Sequence, residues 1–445
     1  MSCHSPSGAI QNLLRDAVVK RFSIRTQPMR YFEFIAILAV AGVLDVNSDD
    51  WSCWRGPDGL GVSAEQNLPV RWGKEKSIRW QMPIPGKGAS SPVIVGECVY
   101  VTTQTEDTGL HVLALERGNG RVLWDREVAR GNAPANKLHN MATPTAVSDG
   151  KHLWAVFGTG DMACLNLDGT VRWRRNFVEE FGPVKTNHGY GSSPMLLDGK
   201  LFVVCMHQGP SWVLALDALT GKNIWKKDRN LGPTDEAQDS YSSPIFLRGR
   251  GRTQMVIEGA ESINAYDPRT GDELWIRSGL KVPHPYGRTI AGPAAGDGMV
   301  IAVASGFQNR GYTVALNSGG RGRLTEKDQI WKLDKFCADC PTPVIYHGNV
   351  YSIRDDGMAS CVDLKTGEPH WQERLFSANV KVSPVAGDGK VYFLNGQGNC
   401  YVVKAAPKLE VLATNELKEA TLSTPAISGG HLFIRTERGL YCVGR

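Results

Sequence analysis

The sequence has little excess charge and almost no long hydrophobic run. Its 50 Lys and Arg against 45 Asp and Glu leave a net charge of +5. Part of that sits in the first 44 residues, where Arg15, Lys20, Arg21, Arg25 and Arg30 face only Asp16 and Glu33. The rest is close to neutral, which excludes a basic nucleic-acid-binding surface. The one long apolar run, Tyr31 to Leu44, has fourteen residues and contains Glu33. A bilayer-spanning helix needs about 20 residues, so this run reads as the core of an export signal, and no transmembrane domain is expected in the mature chain. Met29-Arg30 directly precedes it, which makes Met29 a candidate true start and residues 1–48 an upstream extension plus signal peptide. No cysteine lies in a lipobox, because the next one, Cys53, follows Asp49-Asp50-Trp51-Ser52; no lipid anchor is expected. Disorder is excluded by 42% hydrophobic residues.

Against these shortages stand 12 Trp and 49 Gly. Much of that surplus is periodic. A small residue followed by Pro recurs at Ser91-Pro92, Thr143-Pro144, Ser193-Pro194, Ser243-Pro244, Gly292-Pro293, Thr342-Pro343, Ser383-Pro384 and Thr424-Pro425, at spacings of 41 to 52 residues. Hairpin signals follow, such as Asp198-Gly199 and Asp388-Gly389 between apolar residues. A second motif, A-x-D-x-x-x-G-x-x-x-W, comes next in most units. It is complete in Ala215-Asp217-Gly221-Trp225 and Ala265-Asp267-Gly271-Trp275. Ala114-Glu116-Gly120-Trp124, Ala163-Gly169-Trp173 and Cys361-Asp363-Gly367-Trp371 nearly match it, a stretched copy runs from Ala315 to Trp331, and the unit after Pro384 has no Trp.

Units of about 50 residues with four short strands cannot bury both sheet faces alone, and radial stacking removes the problem. The Gly permits a tight turn, and the Trp fills the gap to the neighbouring sheet. Each buried indole contributes roughly 3 kcal/mol or more. The last unit ends at Arg445 before its Gly and Trp, while Ser77 to Met82 holds Trp80 without a first half. The N-terminal strand therefore completes the C-terminal unit. The expected fold is all-β: an eight-bladed β-propeller of four-stranded blades over residues 77–445, after a leader over residues 49–76. Trp80, Trp124, Trp173, Trp225, Trp275, Trp331 and Trp371 are its docking residues.

These repeats resemble the tryptophan-docking motifs of the pyrroloquinoline-quinone (PQQ) repeat propellers, which include the quinoprotein alcohol dehydrogenases and the BamB-like envelope proteins. The resemblance covers residues 77–444. The leader Trp51-Ser52-Cys53-Trp54-Arg55-Gly56-Pro57 is similar to the W-x-x-W-R-G-P segment before the propeller in exported bacterial members. The resemblance implies for the dehydrogenases an adjacent Cys pair, a Trp under the quinone, and Ca²⁺ held by Glu, Asn and Asp. This sequence has no Cys-Cys pair. The off-phase Trp51, Trp54, Trp72, Trp154 and Trp212 match no such context, and no Ca²⁺ trio can be assigned.

Residues just before each small-Pro pair should ring one mouth of the central channel. His139, Asn140, His188, Tyr190, Asp239, Tyr241, Arg288 and Lys381 are the ligand-binding candidates. They equally suit strand ends that line a water-filled channel. His139 and His188, with Asp239 as carboxylate, are the sharpest acid/base candidates, and a hydrolase or lyase is a third reading. No catalytic or metal-binding set is assigned. Cys337-x-x-Cys340 suits a local disulfide in an exported chain, whereas Cys361 and Cys442 read as core thiols. The function expected is a non-catalytic binding or assembly scaffold of the periplasm or cell envelope, monomeric, with a protein or envelope partner and without cofactor. The alternative is a dehydrogenase using PQQ with Ca²⁺ to oxidise an alcohol or sugar.

Overall fold

The computed structural model describes residues 49–73, 77–249, 251–283, 287–306, 310–377 and 380–444. The expected signal peptide and the Met29 start lie outside these residues. Eight sheets are present, and seven contain four consecutive strands in chain order, allowing for one extra strand described below. The blades open with Val93–Val95, Val147–Ser148, Met195–Leu197, Ile245–Gly249, Ala294–Gly296, Val344–Tyr346, Val385–Gly387 and Ala426–Ser428, here numbered 1 to 8. In blade 8 the fourth strand is Ile78–Pro83, antiparallel to Gly439–Val443, with Trp80 opposite Cys442. The ring is therefore closed by the predicted strand exchange, which leaves no unpaired blade at the seam.

The docking motif has one register throughout. Ala114, Cys164, Ala215, Ala265, Ala315, Cys361 and Cys442 each stand opposite the Trp of their own blade. Blade 2 departs from the sequence reading: Cys164, not Ala163, faces Trp173, because the turn to Gly169 is one residue shorter than in its neighbours. Each Trp then crosses to the next blade. The Trp80 indole N–H donates to Arg117 O (2.9 Å), Trp124 to Leu167 O (2.9 Å), Trp173 to Ala218 O (2.9 Å) and Trp331 to Leu364 O (2.8 Å). The motif glycine is the landing pad. At Gly120 (φ 77°) a Cβ would lie 2.5 Å from the Trp80 ring, so a side chain there is excluded both by the contact and by the left-handed backbone.

Trp275 is the exception. Its N–H bonds Gln254 Oε1 (2.8 Å) within its own blade. Blade 5 carries the stretched copy, and the inserted Gly322–Leu324 adds a fifth, parallel strand to blade 4 at Trp275. In blade 7, where no Trp exists, Ala413 stands opposite Val402.

Most small-Pro pairs, and in blade 2 Thr145 just past the Thr143-Pro144 pair, have a role that the pattern alone did not reveal. Ser91 N–H donates to Thr145 Oγ1 (2.9 Å), Thr145 N–H to Ser193 Oγ (3.0 Å), and Ser193 N–H to Ser243 Oγ (2.8 Å). Gly292 N–H donates to Thr342 Oγ1 (2.8 Å) and Thr342 N–H to Ser383 Oγ (2.9 Å). Hydroxyls thus clasp neighbouring innermost strands, satisfying amides that an inner edge would otherwise leave bare. Gly292 has no hydroxyl for blade 4.

Candidate functional site: a blind channel with an ion-paired mouth

The leader closes one end of the channel. It touches each of the eight blades along the innermost strands, near their hairpin ends in most blades and at the small-Pro pairs in blades 5 and 6. Asp49 O accepts from Ser428 Oγ in blade 8, and Trp51 forms an antiparallel bridge with Ile94 in blade 1. Ser52 O accepts from Ser148 N–H (2.8 Å), Asp58 pairs with Arg248 (2.8 Å), Arg55 Nη2 donates to Pro343 O (2.7 Å), and Ser63 N–H donates to Ala386 O (2.8 Å). Gly59 packs beside Met195 of blade 3, and Trp54 reaches the gap at Gly292 in blade 5, 3.7 Å from where a Cβ would stand. The segment expected to precede the propeller is therefore its floor.

Above the floor lies a cavity of about 250 Å³ that includes Trp54, His139, His188, Tyr241, Arg288, Cys340 and Lys381 in its wall. Five of the eight sequence candidates meet here: His139, His188, Tyr241, Arg288 and Lys381. The other three do not. Asn140 caps a turn, its Oδ1 accepting from Ala142 N–H (3.0 Å). Tyr190 is buried in the core against Phe177, ring centroids 5.1 Å apart. Asp239 is fully buried behind the wall, where its Oδ2 accepts from Asn187 N–H (2.9 Å) and Tyr241 Oη (3.2 Å). All of these residues lie in the non-strand segments that lead into the innermost strands, where the local turns decide which side chains face the cavity. Among the off-phase tryptophans only Trp54 lines the cavity. Trp154 (N–H to Ala218 O, 2.7 Å) and Trp212 (edge-on to Phe177 and Phe181) are core residues.

Two ion-paired clusters occupy the mouth. Arg288 binds Asp339 through Nε (3.2 Å) and Nη2 (2.7 Å) and pairs with Glu236 through Nη1. Ser305 Oγ adds a bond to Asp339 (2.7 Å). Lys381 pairs with Asp355, whose Oδ1 also accepts from Asp339 N–H (3.2 Å) and Cys340 N–H (3.1 Å). Burial pushes the Asp339 carboxyl up, but the Arg288 bonds and charge outweigh it and hold it below the usual range. Glu236 and Asp355 escaped the sequence reading because they sit in loops outside the repeat phase. Arg288 and Lys381 were the only signal, since a half-buried cation in a dry wall needs a carboxylate.

Asp339, Cys340 and Asp355 bring three metal-type ligand atoms within 4.8 Å. Both carboxylates are already held by cations, and burial followed by the neighbouring Asp355 and Asp339 charges pushes the Cys340 thiol far up. A thiolate for a metal is thus disfavoured. The expected Cys337–Cys340 disulfide is not formed: Cys337 packs against Ala291 and Val303, and Cys340 Sγ sits 3.5 Å from Lys381 Nζ. The two side chains point to opposite sides of the innermost-strand entry, one into the core and one into the cavity.

His139 and His188 lie 6.3 Å apart by ring centroid, and His188 meets Tyr241 edge-on at 5.6 Å. His188 Nε2 is 3.5 Å from Glu236 Oε1. Burial, then the proximity of His188 and Lys381, brings His139 down from 6.5 to about 4. A histidine whose folded pKa is depressed supports stability above its unfolded pKa and loses that support as pH falls. Between pH 6.5 and about 4, urea unfolding of the wild type should therefore weaken more than that of His139→Gln; parallel curves would refute the assignment.

This constellation, an eight-bladed ring of tryptophan-docked blades around a blind polar channel, defines a PQQ-like repeat propeller. The family model "Outer membrane protein assembly factor BamB" matches residues 60–180, 111–373 and 343–445, and the chain belongs to that family. Outer membrane protein assembly factor BamB of Yersinia pestis is 21% identical over 297 residues, covering 65% of this chain and 70% of that one. The crystal structure of BamB from Moraxella catarrhalis matches with a TM-score of 0.61 at 14% identity, over 83% of this chain and 98% of that one. A europium-containing methanol dehydrogenase matches with a TM-score of 0.69 at 12% identity, over 88% and 91%. Scaffolds and enzymes thus share this ring, and the fold alone does not choose between them.

Proposed function

We propose that this chain is a non-catalytic scaffold of the bacterial cell envelope, exported to the periplasm, that assists outer-membrane protein assembly through a protein partner. The family membership supports the assembly role. Among the described residues no helix is long and apolar enough to cross a membrane. The observation that carries the non-catalytic reading is the mouth itself. PQQ bears three carboxylates and calls for unspent cations, whereas Arg288 and Lys381 are each held by the protein's own carboxylates. Binding it would strip Glu236, Asp339 and Asp355 of their partners, which is costly at buried positions. His139, His188 and Tyr241 around the Trp54 floor leave room for a small uncharged ligand or a peptide end. Removing the gene from its own host should lower the amount of folded β-barrel protein in the outer membrane, and the wild-type chain should restore it. Unchanged outer-membrane protein levels would overturn the assembly role.

A further inference from the structure

The turn between the second and third strands of blade 4 departs from its counterparts around the ring. In blades 2, 6 and 7 a left-handed glycine stands at this turn, and its carbonyl accepts from the chain leaving the blade. Phe177 N–H donates to Gly160 O, Leu375 N–H to Gly357 O and Leu417 N–H to Gly398 O, each at 3.0 Å. A Cβ would lie 2.2 Å from Phe376 O at Gly357 and 2.3 Å from Glu419 O at Gly398, so the leaving chain presses on a bare turn. Blade 1 has Thr108 there (φ 68°), accepting from Gly131 N–H (3.0 Å). In blade 4 the same bond runs from Leu280 N–H to Glu261 O (2.8 Å). Gly259 stands opposite Ser262, which leaves the two-residue turn Ala260-Glu261 with φ 52° and 53°. A turn with both central residues left-handed calls for Asn-Gly. With Ala-Glu it is strained, and such strain persists only where something else maintains it.

An open depression of about 570 Å³ lies between this turn and the chains entering and leaving blade 4. Gly232 and Thr234 come from the entering chain, Ser278 and Lys281 from the leaving one. Glu261 is the only acid among its described lining residues. The half-buried Glu261 carboxylate has neither a hydrogen bond nor an ion pair among the described residues. Burial pushes this carboxyl up, more than the Lys281 charge draws it down. The channel mouth is the reverse case, since Glu236, Asp339 and Asp355 each meet a cation there. Blade 4 thus holds an unpartnered carboxylate over a cleft at the cost of a strained turn.

We propose that this cleft receives a lysine or arginine side chain, presented on a loop of a protein partner, with Glu261 as its counterion. The source of that side chain rests on the protein-partner reading above; the chemistry of the cleft does not. An incoming ammonium or guanidinium pairs with the carboxylate, and the Thr234 and Ser278 hydroxyls of the same cleft are acceptors for its other protons. Lys281 is exposed and turns out to solvent as the cation docks. A bare divalent cation suits the cleft poorly, because one carboxylate supplies too few of the six or more oxygens that it takes.

The test uses the full chain and acetyl-Gly-Lys-Gly-amide as probe, read by saturation-transfer NMR and by Tm. The wild type should bind it with saturation, and should not bind the norleucine analogue, which has the same length without the charge. Glu261→Gln should weaken the lysine peptide by about tenfold or more, as loss of a charge-assisted pair does. Glu261→Gly restores the glycine of blades 2, 6 and 7; it should lose binding while its Tm stays at or above that of the wild type. Absence of saturable binding, or equal binding of both peptides, would overturn the proposal. So would a lower Tm for Glu261→Gly, which would make Glu261 a residue kept for folding. Methylammonium or Ca²⁺ bound through Glu261 as tightly as the lysine peptide would overturn it too, by making the cleft a small-cation site. None of these readouts involves outer-membrane protein levels in the host, so this inference and the scaffold reading fail separately.

Discussion

Trp80→Ala should lower the free energy of unfolding by about 3–5 kcal/mol, the range for emptying a large aromatic from a packed core. Trp80 is the residue through which the N-terminal strand seals the ring. It is buried, packs on Phe433 with ring centroids 5.9 Å apart, and donates to Arg117 O of blade 1 (2.9 Å). Losing it weakens one strand and two blades at once. Trp371→Ala is the internal comparison. Its N–H reaches Ala406 O at 3.4 Å, and blade 7 beyond it has no docking Trp of its own. It should cost less than Trp80→Ala by equilibrium urea unfolding. Equal losses would mean that the closing strand is no more critical than any other.

Arg288→Ala is the second large effect. It leaves Glu236 and Asp339, with side-chain exposures of 9% and 18%, facing each other without a cation. Breaking a buried pair by removing one partner costs about 3–5 kcal/mol, because the charges that remain are still buried. Arg288→Lys should recover only part of this, since an ammonium cannot reproduce the two parallel bonds to Asp339. The sign with pH follows from the carboxylates. Asp339 is held below its usual range in the wild type, so its contribution is present at neutral pH and fades as pH falls through the carboxylate range. The gap between wild type and Arg288→Ala should therefore be widest near neutrality and narrow in acid. The double variant Arg288→Met with Asp339→Asn should be more stable than Arg288→Ala. A constant gap at all pH values would remove the ion pair from the account.

The ring was legible because its signals are local and repeated. Ala215 to Trp225 is one hairpin, and the same step from small residue to Trp recurs at Ala114–Trp124, Ala265–Trp275 and Cys361–Trp371. Even the seam at Trp80 could be counted from the motif missing after Cys442. Blade 2 slipped twice: Cys164, not Ala163, faces Trp173 because a turn is shortened by a residue, and Thr145, not Thr143, takes the place of the small residue before Pro in other blades. The mouth was half legible. His139, His188, Tyr241, Arg288 and Lys381 follow from their place before the innermost strands. Which neighbour turns inward is set by the local turns of the non-strand segments entering the innermost strands, and this put Asn140, Tyr190 and Asp239 in the wrong group. Glu236 sits in the 3-10 turn Asp235–Gln238 and Asp355 in a hairpin loop, so no period points to them. The floor was not legible. W-x-x-W-R-G-P reads as a leader because it lies outside the repeat, and only three-dimensional contact shows Trp54 and Arg55 beneath the channel.

The account stands on a channel mouth whose cations are already committed. Titration of the purified protein with PQQ and Ca²⁺ tests that most directly, read by Trp54 fluorescence at the cavity floor and by dye-linked alcohol oxidation. The account predicts no saturable quenching and no turnover. Saturable binding at one PQQ per chain, with alcohol-dependent dye reduction, would contradict it.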